Sequence, residues 1–271
     1  MLGADSASTD GAQNAGWIAG NVVHDGAVPD PIFADPRLAA LYDIVDDDRS
    51  DLDVYVAIVE ELNASTVLDV GCGTGTLACL LAQRGIEVVG LDPAAASLDV
   101  ARRKPSADRV RWIHGDASSA PPLGVDLVVM TGNVAQVFFD DADWQRTLNA
   151  LGRAVGDGGW LVFETRDPAR RAWEQWTEEH TYRSIISPGV GEVSTWIELV
   201  EVREPLVSFR HVHRFARDGS EITSDSTLRF RERDEIARDL DDAGFWLRSV
   251  RDAPDRPGLE FVFFAQRTRR R

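Results

Sequence analysis

The sequence contains little cysteine, fewer basic than acidic residues, and no long apolar run. Its two cysteines, Cys72 and Cys79, match neither a metal-binding spacing nor the disulfide framework of a small secreted domain. No run of about 18 apolar residues is available to span a membrane, and no charged segment precedes an apolar one as in a signal peptide. These absences predict a cytoplasmic protein that spans no membrane and binds no metal.

The acidic excess bears on the partners of the protein. With 45 acidic and 29 basic residues, the formal net charge of -16 repels phosphate backbones. The one basic run lies at the C-terminus, and residues 268–271 are interpreted as a solvated basic tail. The charge balance therefore predicts that the protein binds no nucleic acid.

One elaborated domain is predicted between two short terminal segments. Residues 1–30 are rich in alanine, glycine, aspartate and serine without an apolar period, which predicts a flexible leader. The domain is expected over residues 31–267. At about residues 36–62, apolar residues recur every three or four positions, which indicates helices that flank the core.

Short β-rich runs alternate with helical stretches through the centre of the chain. The runs are TVLDVG, EVVGLD, VRWIHGD, VDLVVMTG and GWLVFETRD. Such alternation is typical of a parallel sheet with crossover helices on both faces. About residues 181–231 show a two-residue period instead, and two more strands, FWLRSVRD and LEFVFFAQR, follow. The predicted fold class is α/β, with a doubly wound, mostly parallel seven-stranded sheet and an antiparallel β insert.

A glycine-rich loop lies between the first predicted strand and the helix that follows it. In VLDVGCGTGTLA, residues 67–78, the glycines are Gly71, Gly73 and Gly75. Glycines permit a tight turn and expose amide groups at a helix N-terminus. This loop predicts a binding site for a nucleotide-like ligand.

Two carboxylates follow at corresponding places, since Asp92 ends the second predicted strand and Asp116 the third. The carboxyl ends of parallel strands meet at one edge of a sheet, where such folds bind ligands. A carboxylate at the position of Asp92 can accept hydrogen bonds from two ribose hydroxyls. The alternative interpretation is that both residues only cap the helices that follow them.

The glycine loop and the two carboxylates together resemble the class I S-adenosylmethionine (SAM)-dependent methyltransferase family, over roughly residues 36–267. The resemblance implies a Rossmann-like fold, SAM as the cofactor, S-adenosylhomocysteine as the product, and a lid formed by the helices of about residues 36–62. It also implies methyl transfer to an N or O atom of a small-molecule acceptor. The Asn-Pro-Pro-aromatic motif of many nucleic-acid and protein-amide methyltransferases is absent, because Asn133 is followed by Val134 and Ala135.

The resemblance also assigns residues to the cofactor. The three glycines would pass under the methionyl part, Asp92 would hold the ribose, Asp116 and Ala117 would meet the adenine, and Asp69 would help to hold the methionyl ammonium. The full set of expected cofactor residues is Tyr42, Asp69, Gly71, Cys72, Gly73, Gly75, Asp92, Pro93, Asp116, Ala117, Thr131 and Asn133.

The acceptor site has five candidate residues. Asn133 and Gln136 follow the fourth predicted strand, where the family places residues near the sulfonium, and Arg166 ends the fifth strand. His211 and His213 share one face of the run FRHVHRF, because strand side chains alternate. Imidazole titrates near neutrality, so either histidine could serve as a general base. The alternative is that the histidines are only packed or bridging side chains.

Two other functions are compared with the methyltransferase hypothesis. A dinucleotide dehydrogenase needs a third glycine three residues beyond the second, and that position is Thr76. A catalytically inactive protein that binds SAM or S-adenosylhomocysteine and acts through partner contacts would keep the glycine loop and lose a usable acceptor pocket. The sequence does not indicate an oligomeric state.

Overall fold

The computed structural model describes residues 29–45 and 49–268. Most of the predicted leader, residues 1–28, and most of the predicted basic tail, residues 269–271, lie outside the described residues. The helices are α1 Pro31–Ala34, α2 Pro36–Val45, α3 Asp51–Glu61, α4 Thr76–Gln83, α5 Ala95–Ala101, α6 Asp141–Ala154, α7 Glu178–Thr181 and α8 Arg233–Asp242. The strands are β1 Thr66–Val70, β2 Glu87–Asp92, β3 Val110–His114, β4 Val125–Met130, β5 Val155–Arg166, β6 Arg183–Ser187, β7 Gly191–Arg203, β8 Leu206–Phe215, β9 Glu221–Arg229, β10 Phe245–Asp252 and β11 Glu260–Arg267.

The main sheet has seven strands in the order β10-β11-β5-β4-β1-β2-β3. Strands β1 to β5 pair in parallel, whereas β11 is antiparallel to both β5 and β10. The strand order reverses between β1 and β4, and open α/β sheets bind ligands in the crevice at such a switch point. The predicted doubly wound, mostly parallel seven-stranded sheet is confirmed.

A second sheet of four antiparallel strands, in the order β6-β7-β8-β9, confirms the predicted insert. Its inner face packs against two parts of the molecule. Leu38 and Leu41 of α2 pack with Val193 and Phe215. Farther along the same face, Trp173 packs with buried apolar residues of β8 and β9. The insert is thereby joined to the N-terminal helices and to the segment that follows β5.

The core has two layers, one on each face of the main sheet. Helices α6 and α8 cover one face, with Trp144 and Leu240 almost fully buried. Helices α3 and α4 cover the other face, with Leu52 and Leu81 buried there. Strand β1 is therefore covered on both faces, which explains why four of its five residues are buried.

Local signals in the sequence account for several helix ends. The Asp140 carboxylate accepts a hydrogen bond from the Asp143 amide and begins α6. Gly85 and Gly244 follow α4 and α8 with φ of 84° and 76°, as helix-ending glycines do. Helix α1 has no signal in the sequence, because four residues are too few to show a helical period. Within the described ranges, no helix has the length and hydropathy needed to cross a membrane.

Candidate functional site

A cleft with a cavity of about 250 Å³ lies above the carboxyl ends of β1, β2 and β4. Its floor is formed by the loops that leave these strands, and α1, α2 and β9 contribute residues to its other walls. Most of the predicted cofactor residues line it: Tyr42, Asp69, Gly71, Cys72, Gly73, Asp92, Pro93, Asp116, Ala117 and Thr131. Gly75 begins α4 behind the loop, and Asn133 lies outside the lining.

The backbone of the glycine loop has a shape that only glycine fits well. Gly71, Gly73 and Gly75 have φ of 68°, 52° and 73°, in the left-handed region. A Cβ atom on Gly71 would lie 2.6 Å from Val134 Cγ2, and one on Gly75 would lie 2.5 Å from Trp112 Cη2. A Cβ atom on Gly73 would meet no protein atom within 4 Å. Gly73 therefore leaves open space where a ligand can approach the backbone.

Asp92 and Asp116 both line the cleft and both hold local amides. Asp92 accepts hydrogen bonds from the amides of Gly73, at 2.8 Å, and Ala94, at 2.7 Å. Asp116 accepts a hydrogen bond from the Ser118 amide at 2.7 Å and caps a short 3₁₀ turn. The capping interpretation is thus correct in part. It does not exclude ligand contact, because each carboxylate also faces the cleft.

Asp69 is a buried carboxylate with one oxygen atom that accepts no hydrogen bond from the described residues. Its side chain is 1% exposed, and its Oδ1 atom has no hydrogen-bond partner in the described part of the chain. Burial and the nearby Asp92 charge raise the pKa of Asp69 to about 7, and Arg49 opposes this shift. A bound cation would favour the ionised form. Asp69 is therefore suited to receive an ammonium group.

Asp43 of α2 fastens the N-terminal helices to the glycine loop. Its Oδ1 atom accepts hydrogen bonds from the hydroxyls of Thr74, at 2.7 Å, and Thr76, at 3.2 Å. Its Oδ2 atom lies 2.7 Å from Lys104 Nζ. No local pattern in the sequence indicates this contact, because Asp43 and Thr74 lie 31 positions apart. Thr76, which rules against the dehydrogenase motif, has a structural role here.

Glu164 of β5 supports the loop that follows β4. Its Oε1 atom accepts hydrogen bonds from the amides of Gly132, at 2.7 Å, and Asn133, at 3.2 Å. Its Oε2 atom accepts one from the Tyr55 hydroxyl at 2.5 Å. Burial raises the pKa of Glu164, and the Tyr55 hydrogen bond opposes the shift. The Thr131–Gly132 segment of the cleft is thereby held by a side chain from the neighbouring strand.

Three of the five acceptor candidates lie behind the cleft and not in its lining. The Asn133 side chain donates to Glu260 Oε1 at 3.3 Å. Gln136 is fully buried; it donates to the Arg229 carbonyl and accepts from Arg166. Arg166 also pairs with Glu260 at 3.6 Å. These side chains hold one another within the protein.

The other two candidates, His211 and His213, line a second cavity of about 310 Å³. This cavity lies between α2 and the inner face of the antiparallel sheet, and α7 contributes to its wall. Tyr42 lines both cavities, and its ring centroid lies 5.8 Å from that of Phe33. The structure thus brings the two histidines together, but away from the glycine loop. Among the described residues, no cluster of side chains has the composition of a metal site.

Part of the chain is similar in sequence to known methyltransferases. Residues 67–159 match a family model described as a methyltransferase domain. The chain is 30% identical over 144 residues to the cypemycin N-terminal methyltransferase of a Streptomyces species, covering 52% of this chain and 59% of that protein. It is 41% identical over 101 residues to the demethylmenaquinone methyltransferase of Thermus thermophilus, covering 35% and 44% of the two proteins. The chain spans about half the length of the curated relatives it matches.

Solved structures resemble a larger part of the chain. A sugar N-methyltransferase from a Streptoalloteichus species has a TM-score of 0.68 at 18% identity, covering 84% of this chain and 92% of that one. A SAM-bound amino pentose methyltransferase from Micromonospora echinaspora has a TM-score of 0.62 at 22% identity, covering 82% and 93%. At these identities the likeness concerns the fold alone.

Proposed function

We propose that the protein, whose residues 67–159 match a methyltransferase-domain family model, binds SAM as a class I methyltransferase and transfers its methyl group to an N or O atom of a small-molecule acceptor. The main support is the place of the cleft. It lies at the switch point of the sheet, most of its lining belongs to the matched residues, and it contains the Asp69 carboxylate, whose Oδ1 atom has no partner among the described residues. The net charge of -16 favours a small-molecule acceptor over nucleic acid, and the proposal keeps the predicted cytoplasmic location.

The residues of the cleft fit the chemical groups of SAM. The Asp69 carboxylate would hold the methionyl ammonium, and the Arg49 guanidinium, which also lines the cleft, would face the carboxylate. Asp92 retains lone pairs for the ribose hydroxyls, since each of its oxygens accepts one amide hydrogen bond. Asp116 and Ala117 would contact the adenine. Bound SAM supplies an electrophilic methyl group on a positively charged sulfur.

The remaining task of the chain is to bind the acceptor and to hold it in line with that methyl group. Positioning of this kind is worth about 7 to 11 kcal/mol in favourable cases. We propose that α2 and the antiparallel sheet form the acceptor side of the site, with Tyr42 between the two cavities. A general base is needed only where the acceptor atom carries a proton at the reaction pH. His211 and His213 are the candidates, because Asn133, Gln136 and Arg166 are engaged within the protein.

Two measurements test the proposal. Isothermal titration calorimetry with SAM and S-adenosylhomocysteine is expected to detect a single site, with no comparable binding of NADH. Incubation with SAM carrying a labelled methyl group and a panel of hydroxyl- and amine-bearing metabolites is expected to yield a labelled product. Absence of SAM binding together with tight NADH binding would refute the proposal. SAM binding without transfer to any acceptor would favour the non-catalytic alternative.

A further inference from the structure

The second cavity combines apolar walls with two uncharged imidazoles. Leu38 and Val45 of α2 and Ile197 of β7 supply apolar surface. The rings of His211 and His213, on alternate positions of β8, have centroids 6.4 Å apart. Burial lowers the pKa of both histidines, that of His211 to about 4, so both rings are neutral near pH 7. A neutral imidazole has one nitrogen that accepts a hydrogen bond.

His213 in particular has an unused polar atom. Its side chain is 3% exposed, and its Nδ1 atom has no hydrogen-bond partner in the part of the chain that the structure describes. A buried polar atom without a partner is unfavourable, so a ligand that forms a hydrogen bond with it gains affinity. His213 also lines the cavity of about 310 Å³, which is large enough to admit a ligand group.

The charge of the lining restricts that ligand. No carboxylate lines the cavity among the described residues, so an ammonium group would enter without a counter-charge. The guanidinium of Arg183 is the cation of the lining, and it already donates to the Val45 carbonyl at 3.0 Å. Burying an unpaired charge is far more costly than burying a neutral hydroxyl. His180 and Thr181 of the lining are already bonded to Thr177 and Ile197, so fewer polar partners remain for the hydroxyls of a sugar.

A continuous row of rings connects this cavity with the end of β5. The Arg166 guanidinium lies 5.5 Å from the Trp176 ring, the Trp176 and Phe209 centroids are 4.6 Å apart, and those of Phe209 and His211 are 5.3 Å apart. Tyr42 borders the cavity on one side and the glycine-loop cleft on the other. A ligand bound at the histidines would therefore have Tyr42 between it and the cleft.

We propose that the cavity between α2 and β8 is a binding site for an uncharged ring that carries one hydroxyl group, a phenol in its simplest form, with the hydroxyl donating to His213. As the seat of the methyl acceptor, the site depends on the proposed methyltransferase function. As a binding site, it depends only on the cavity. The two statements can therefore fail separately.

The first test uses the unmodified full chain with labelled histidines. Nuclear magnetic resonance follows the imidazole signals during titration with 4-methylphenol, toluene, benzylammonium and methyl glucoside. We expect 4-methylphenol to shift the His211 and His213 signals and to bind about fivefold to tenfold more tightly than toluene, because toluene lacks one hydrogen bond. Equal binding of toluene, or tighter binding of benzylammonium or methyl glucoside at these histidines, would overturn the proposal.

The second test uses variants with a matched control. His213→Phe removes the acceptor atom and is expected to abolish the difference between 4-methylphenol and toluene. Arg210→Gln, on the outer face of the same strand and paired there with Asp225, is expected to leave that difference unchanged. SAM titration of the unmodified chain, beside its titration with 4-methylphenol and toluene, separates the two hypotheses. Normal SAM binding with no preference for the phenol refutes only the cavity, whereas phenol binding without SAM binding refutes only the methyltransferase function. The comparison of 4-methylphenol with toluene in the unmodified chain needs no variant to fold.

Discussion

The two cavities of this protein are neighbours that share Tyr42, yet they are built in different ways. The floor of the glycine-loop cleft is made of the loops that leave consecutive strands, within the residues that match a methyltransferase domain. The histidine cavity is made of side chains from α2, α7, β7 and β8, which are far apart in the sequence. The first depends on local backbone shape, and the second depends on packing between separate units. The predictions below test this difference, beginning with the largest expected effect.

Gly71→Ala should damage the cleft most. The new Cβ atom would meet Val134 at 2.6 Å while the residue keeps a left-handed φ of 68°. Backbone strain and overpacking together are expected to lower the free energy of unfolding by about 2 to 5 kcal/mol. Gly73→Ala is the matched control, because it adds strain without a clash and should cost only about 1 to 2 kcal/mol. Chemical denaturation measures both, and equal losses would contradict the role given to Val134.

The histidine cavity should respond to acid. Burial, with a smaller contribution from His213, lowers the pKa of His211 from 6.5 to about 4. The unfolded chain therefore takes up the proton first, so stability is complete above pH 6.5 and falls as the pH drops towards 4. The loss attributable to His211 is about 3 kcal/mol at most. The difference in free energy of unfolding between the wild type and His211→Gln should therefore change between pH 6.5 and pH 4. Chemical denaturation measures this difference, and a constant value would contradict the neutral ring.

Asp92→Ala should weaken SAM binding, because it removes the proposed ribose contact and also the acceptor of the Gly73 and Ala94 amides. Loss of charge-assisted hydrogen bonds is expected to cost about 1.5 to 3 kcal/mol, or roughly tenfold to a hundredfold in affinity. Asp99→Ala is the control, since Asp99 is exposed and pairs with Arg102 at 2.9 Å. Calorimetry compares the two variants. Unchanged SAM affinity in Asp92→Ala would refute the ribose assignment.

The smallest expected effect concerns Asp69. Burial and the Asp92 charge raise its pKa to about 7, so the carboxylate gains its charge as the pH rises through that value. If it holds the ammonium of SAM, affinity should rise about fivefold between pH 6 and pH 7. Asp69→Asn should remove this dependence. Calorimetry across that interval measures the slope, and an equal slope in the variant would assign the titration to another group.

The sequence predicted the fold class and the cleft because both follow from local patterns. Strand periods, a glycine loop and carboxylates at strand ends lie within a few residues of one another, and the topology brings them to one edge. The acceptor side was harder to predict. Asn133 and Gln136 lie next to the cleft in the sequence, yet their side chains turn to Glu260 and Arg229, 127 and 93 residues away.

The contacts that hold the cleft in shape were also outside the reach of sequence reasoning. Asp43 and Thr74 are separated by 31 residues, and Tyr55 and Glu164 by 109. Nothing in the neighbourhood of any of these residues indicates its partner. Such pairs can be identified only when the packing of α2 and α3 on the rest of the molecule is known.

The attachment of α2 to the glycine loop through Asp43 has a thermodynamic consequence. The same helix carries Leu38, which packs on the antiparallel sheet, and Tyr42, which borders both cavities. A ligand that stabilises this helix in its position from one side therefore also favours binding of a ligand on the other side. By linkage the two affinities must change by the same factor, so a ligand in either cavity should change the affinity of the other cavity for its own ligand.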